Sequence, residues 1–180
     1  MVENPNSIFN RVGPGTPMGN LFRRFWLPAV LTKQLPDPDG PPVRLRILCE
    51  DLLAFRDTNG EVGIIGAFCR HRLAPLFFGR NEECGLRCVY HGWKWNIKGE
   101  CVDIPNVQPP QNYAELKDKA RIKSYPCIEK NGLVWVYMGP QDLQPPLPSF
   151  EWMQVPEENV SVSSWLHRSN FHLGMEGELD

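Results

Sequence analysis

The chain has 180 residues, enough for one ordinary domain with an appendage, and its 42% of hydrophobic residues suffices for a buried core. A net charge of −2 without any long basic run gives no reason to expect a nucleic-acid partner, and no stretch nears the roughly eighteen apolar residues of a membrane span. Eighteen prolines and fifteen glycines require many turns, which predicts a mainly β, loop-rich architecture.

Met1 to Arg11 lacks the apolar core of a signal peptide, so a cytoplasmic location is expected. Thr16 can cap a short helix through Met18, Leu21, Phe22 and Phe25, with Pro17 at its first position. A proline-rich loop follows at 36–42. Val43-Arg44-Leu45-Arg46-Ile47-Leu48 then alternates apolar with charged, the mark of a half-buried strand. Leu52 to Arg56 and Glu61 to Ile65 flank Asp57-Thr58-Asn59-Gly60, and Asn131-Gly132 sits between two further apolar runs; both predict hairpins. Together these predict helix and loop over 1–42 and a small antiparallel β domain over 43–140, with a subdomain inserted between its strands. Pro145-Pro146-Leu147-Pro148 predicts a semi-rigid linker over 141–150. In the tail, 151–180, a strand is expected at Val160 to Leu166 and a helix from Ser169 to Asp180.

The chemistry is concentrated in the insertion. Cys69-Arg70-His71 is followed after sixteen residues by Cys88-Val89-Tyr90-His91. Two thiolates and two imidazoles from two short loops make a metal site. A Rieske [2Fe-2S] centre needs this set, two cysteines on one iron and two histidines on the other, and each loop can give one ligand to each iron. Tetrahedral zinc is the alternative, although zinc sites usually pair C-x2-4-C with H-x3-5-H rather than mixing one Cys with one His. Cys49, Cys84, Cys101 and Cys127 show no spacing of a secreted disulfide framework, and Cys84 is expected to pack rather than to ligate. Trp93 and Trp95 alternate around Lys94, so both are expected on one side of a strand beneath the metal. Arg70, Arg72, Arg80, Arg87 and Lys94 surround the loops, either as solvated charges or as a surface that steers an acidic electron donor.

The flanking residues Arg72-Leu73-Ala74-Pro75-Leu76 and Gly92-Trp93, with Arg11-Val12-Gly13-Pro14-Gly15-Thr16-Pro17 and Phe78-Gly79-Arg80-Asn81-Glu82-Glu83-Cys84-Gly85-Leu86-Arg87, resemble the oxygenase component of phthalate dioxygenase and its relatives, the Rieske non-heme iron oxygenases. The resemblance covers nearly the whole chain. It implies a Rieske domain followed by the start of an α+β catalytic domain that holds one mononuclear Fe(II), a reductase as electron donor, a small aromatic substrate and a homotrimer or a multiple of it. The iron motif of that family opens as Met175-Glu176-Gly177-Glu178-Leu179-Asp180 does here, which makes Asp180 a catalytic candidate, a carboxylate bridging a cluster histidine to an iron-binding histidine. Both iron-binding histidines of that motif lie beyond residue 180 by this alignment, and His167 and His172 match no part of it. The chain is therefore expected to be the electron-transfer part of an aromatic-ring-hydroxylating oxygenase, not itself catalytic; a stand-alone Rieske-type ferredoxin is the other reading. Respiratory Rieske loops carry two bridging cysteines and a serine where this chain has Ala74, Tyr90 and Trp93, and the missing hydroxyl donor to sulfur predicts a low potential.

Overall fold

The computed structural model describes residues 7–107 and 113–179. Thr16 caps the helix α2 (Pro17–Phe22), its Oγ1 accepting from Gly19 N at 3.1 Å, with Pro17 in the first turn as expected; α1 (Ser7–Asn10) precedes it. Among the described residues, eleven strands follow in three antiparallel sheets.

The central sheet is β2 (Val43–Ile47), β3 (Glu50–Arg56), β4 (Val62–Gly66) and β9 (Ser124–Tyr125), in that order. β2 shows the expected alternation, with Arg44 and Arg46 outward. β3 is buried over Leu52-Leu53-Ala54-Phe55, because it is covered on both faces. Leu53, Phe55 and Ile65 enter one core with Leu76, Leu86, Trp93 and Trp95, whereas Leu52, Ala54 and Ile64 enter another with Val30, Val134 and Val136. That second core belongs to the sheet β1 (Trp26–Leu31), β11 (Leu133–Tyr137) and β10 (Cys127–Lys130). A bidentate ion pair of Arg56 with Glu129, at 2.7 and 2.9 Å, ties the two sheets.

β4 pairs directly with β9, Ile64 opposite Tyr125 and Ile65 opposite Ser124, so the chain between them is an excursion from one sheet. The excursion carries the third sheet, β5 (Arg80–Glu82), β6 (Gly85–Arg87), β7 (Lys94–Trp95) and β8 (Cys101–Asp103), and then α3 (Tyr113–Lys119). This is the expected inserted subdomain. Gly63 lets it approach, since a Cβ there would stand 2.5 Å from Cβ of Ile97.

Both Asn-Gly hairpins form, by different turns. Asn131 and Gly132 both take positive φ, 51° and 76°, the pair a tight two-residue turn requires. Gly60 alone is left-handed in the other, where the Asp57 carboxylate accepts from Asn59 N and Glu61 N. Two expectations need correction. Residues 26–31 form a strand, and Val160 to Leu166 do not: Trp165 and Leu166 are exposed, and β propensity yields no strand without a sheet edge to pair with. The proline-rich stretch is tied to the neighbouring sheet. Pro145 O accepts from Trp26 Nε1 at 2.8 Å, and Leu147 packs with Trp26, Trp135 and Tyr137. The terminal helix, α4, runs Phe171–Leu179. Among the described residues, no helix is long and apolar enough to cross a membrane.

Glu50 fastens the N-terminal segment to the central sheet. Its carboxylate accepts from Arg23 at 2.7 Å, Lys123 at 2.5 Å and the Tyr125 hydroxyl at 2.8 Å, while Arg23 also donates to Gly19 O and Leu48 O. Burial alone pushes the Glu50 carboxyl up, but the Lys123, Arg23 and Tyr125 donors outweigh it and hold the group below its ordinary 4.5. A depressed folded value means that this stability is present above pH 4.5 and lost as pH falls through the folded value. Glu50→Gln is expected to cost about 2 kcal/mol at neutral pH and to flatten stability on the acid side. Urea unfolding of both chains over a pH series checks this; parallel acid limbs would remove Glu50 from the account.

Candidate metal centre

The two metal loops share one backbone construction. In the first, Cys69 N donates to Ala74 O and Leu73 N returns to Cys69 O, both at 2.9 Å. In the second, Cys88 N donates to Trp93 O at 2.8 Å and Gly92 N returns to Cys88 O at 3.0 Å. Each loop thus closes from the cysteine to the fifth residue on, with the fourth residue left-handed: Leu73 at φ 55° and Gly92 at φ 75°. The same turn places each cysteine inward and each histidine at the rim.

The four side chains meet as two pairs. Cys69 and Cys88 are buried, 1% and 3% exposed, in the core beneath the loops. The His71 and His91 rings lie above, with centroids 4.7 Å apart. Trp93 stacks on His71 at 4.6 Å and 3°. Nδ1 of His91 is buried without a hydrogen-bond partner. Desolvation, then His91 and Arg72, hold the His71 imidazole below its ordinary 6.5, which favours the neutral form that a metal takes. No group of three or more His, Cys, Asp or Glu among the described residues is placed to hold a single ion. A Rieske centre requires none, since each iron takes two protein ligands. A buried, unpartnered imidazole nitrogen on one loop and a buried cysteine from each loop therefore fit such a cluster.

Residues 25–126 match the family described as Rieske [2Fe-2S] domain. The chain belongs to that family. It is also 48% identical to the 3-chlorobenzoate-3,4-dioxygenase oxygenase subunit of Comamonas testosteroni over 175 residues, which is 97% of this chain and 40% of that one. Against the phthalate 4,5-dioxygenase oxygenase subunit of Pseudomonas putida the identity is 39%, over 97% of this chain and 39% of that one. The crystal structure of dicamba monooxygenase bound to dicamba superposes with TM-score 0.62 at 30% identity, covering 74% of this chain and 41% of that one. This Rieske chain spans about two-fifths of the length of those curated relatives. Members of the family hold a [2Fe-2S] cluster, which supplies one-electron transfer when bound.

The strand-to-helix segment after β8 clamps the second Rieske loop from outside. Arg87 donates to Gly92 O at 2.8 Å and to Asp103 at 2.7 Å, and its Nε donates to Glu82 at 2.5 Å. Asp103 holds Arg87 further up in the protonated state, and Arg87 holds the Asp103 and Glu82 carboxyls below their usual range. Asn106 Nδ2 donates to His91 O at 3.3 Å, and a Cβ on Gly92 would meet Pro105 at 2.7 Å. Sequence reasoning missed Asp103, Pro105 and Asn106, which carry no motif, and grouped Arg87 with the surface charges. Of the five basic residues expected around the loops, Arg80 and Arg87 pair with Glu82, and Lys94, 7% exposed, pairs with Glu83. Arg70 and Arg72 are exposed. Trp93 and Trp95 do pack beneath the loops, and Cys84 serves as a left-handed turn residue with Glu83 between β5 and β6. His172 sits on α4 facing Glu176 at 3.3 Å, and His167 is exposed; neither joins the site. Asp180 lies outside the described residues.

Arg87→Met is expected to lower stability by about 2 kcal/mol, since it strands two carboxylates and the Gly92 carbonyl. Denaturant unfolding with iron quantified at each point checks it; an unchanged midpoint would mean that another contact orders the loop.

Proposed function

We propose that Cys69 and Cys88 hold one iron and His71 and His91 the other, and that the chain is the electron-transfer part of an oxygenase component. The buried, unpartnered Nδ1 of His91, on loops whose cysteines Cys69 and Cys88 share one core, is the observation that carries the ligand assignment. Each chain residue then has a definite task. The thiolates anchor the buried side. The imidazoles use Nδ1 inward and leave Nε2 toward the rim, where a partner or solvent can exchange a proton with it. Trp93 fixes the His71 ring by stacking, and Asn106 and Arg87 fix the backbone that carries His91.

The reading continues into the longer protein by similarity. A reductase component supplies electrons, a mononuclear Fe(II) in the part of the relatives that this chain does not span activates dioxygen, and a small aromatic compound is the substrate. Asp180 bridges the two metal centres, across a subunit boundary in a homotrimer or a multiple of it, in the cytoplasm. The stand-alone ferredoxin reading is disfavoured because the similarity to oxygenase subunits runs over 97% of the chain, well past the Rieske match that ends at residue 126.

The purified chain is expected to carry about two iron and two acid-labile sulfide, to absorb visible light and to bleach with dithionite. Cys88→Ala is expected to lose all three. Full iron and sulfide in that variant would overturn the ligand assignment, and a colourless zinc-loaded wild type would overturn the cluster. In the longer protein, Asp180→Asn is expected to leave both centres occupied and to slow electron transfer between them at least tenfold, because an amide holds two imidazole N–H donors less well than a carboxylate. Rapid-mixing measurement of cluster reoxidation decides; a wild-type rate would remove Asp180 from the path.

A further inference from the structure

Two clefts of about 310 Å³ each adjoin at the base of the first metal loop, and Phe68 lines both. Phe68 precedes the buried Cys69 and bridges to Pro75 across the loop, yet it is 44% exposed. One cleft runs on to Leu73 and Arg70, the other to Phe77 and Arg44. The Arg44 guanidinium lies over Phe77 at 3.8 Å and over the exposed Phe78 at 5.4 Å. Stacking occupies the face of the guanidinium and leaves its N–H edge for an acceptor. Charge on this surface is uneven. The two carboxylates that line the clefts are already matched, Asp51 by Arg46 at 2.7 Å and Glu50 by Arg23 and Lys123, and Arg121 is matched by Glu100. Arg44 and Arg70 are exposed and have no carboxylate partner among the described residues, which leaves a positive surplus over exposed aromatic surface. Aromatic rings with Arg are what the centres of protein interfaces are enriched in, and unpaired cations favour a partner of opposite sign.

We propose that this face, centred on Phe68 with Arg44 and Arg70 beside it, is the docking surface of an acidic electron-transfer protein, which gives one electron to the cluster and is itself oxidised by one. The proposal rests on the reading of the chain as an electron-transfer part. A donor seated over Phe68 stands one residue from Cys69, a short path to the centre. Neither His71 nor His91 lines either cleft, so the imidazole rim stays open for the acceptor. A small face steered by charge also suits a carrier that must leave once its electron is delivered.

A plant-type [2Fe-2S] ferredoxin, an acidic carrier, is the probe. Titration calorimetry of the iron-loaded chain with the oxidised ferredoxin is expected to show a one-to-one complex that weakens as salt rises. Arg44→Gln combined with Arg70→Gln is expected to weaken that complex about tenfold, and stopped-flow reduction of the chain by the reduced ferredoxin is expected to slow in parallel. Arg24→Gln combined with Lys33→Gln removes the same charge from exposed positions outside both clefts and is expected to change neither. No complex, a complex indifferent to salt, or equal weakening by the two pairs of substitutions overturns the proposal. So does self-association of the chain that the first pair abolishes, which would give the face to a second copy. A chain that binds the ferredoxin yet holds no iron and sulfide would instead overturn the ligand assignment.

Discussion

The backbone hydrogen-bond pair that closes each Rieske loop, from Cys69 to Ala74 and from Cys88 to Trp93, constrains the rest of the centre. Because the return bond comes from the fourth residue, that residue must be left-handed. The second loop uses Gly92, while the first uses Leu73, which is 70% exposed and bears a strain of about 1 kcal/mol. The repeated turn explains why Cys69 and Cys88 share a core while His71 and His91 share the rim. Two copies of one loop give two chemically distinct pairs, which is what an asymmetric two-iron centre requires.

The loops are held to a support buried on both faces. β3 and β4 contribute Leu53, Phe55 and Ile65 to the core beneath the thiols and Leu52, Ala54 and Ile64 to the core on the opposite side. Glu50 and Arg23 brace one end of this sheet, and Arg56 with Glu129 braces it against β10. Polar groups around the second loop follow the same logic. Arg80 and Arg87 balance Glu82 and Asp103 while Arg87 fixes the Gly92 carbonyl, and Arg70 and Arg72 remain as outward cations.

Much of this was legible in the residues, for physical reasons that differ by element. Thr16-Pro17 marked its helix because capping is local, Asn131-Gly132 marked its hairpin because left-handed backbone is demanding, and the mixed Cys/His loops marked the metal because four ligands are scarce. β1 was hidden because Pro28 argues against a strand; the sheet accepts it on an edge, with a register shift between Pro28 and Val30. The Glu83-Cys84 turn was hidden because neither residue favours positive φ. The clamp of Arg87, Asp103 and Asn106 had no signature at all, since it depends on β8 folding back beside β7 with a register shift and so bringing Asp103 to Arg87, sixteen residues earlier.

The central claim is that one iron is bound by two imidazoles and the other by two thiolates. Electron spin echo spectroscopy of the dithionite-reduced chain, grown with isotopically labelled histidine, tests it most directly. The account requires two strongly coupled imidazole nitrogens, from His71 and His91. A reduced centre without histidine coupling, as an all-thiolate cluster gives, would contradict it.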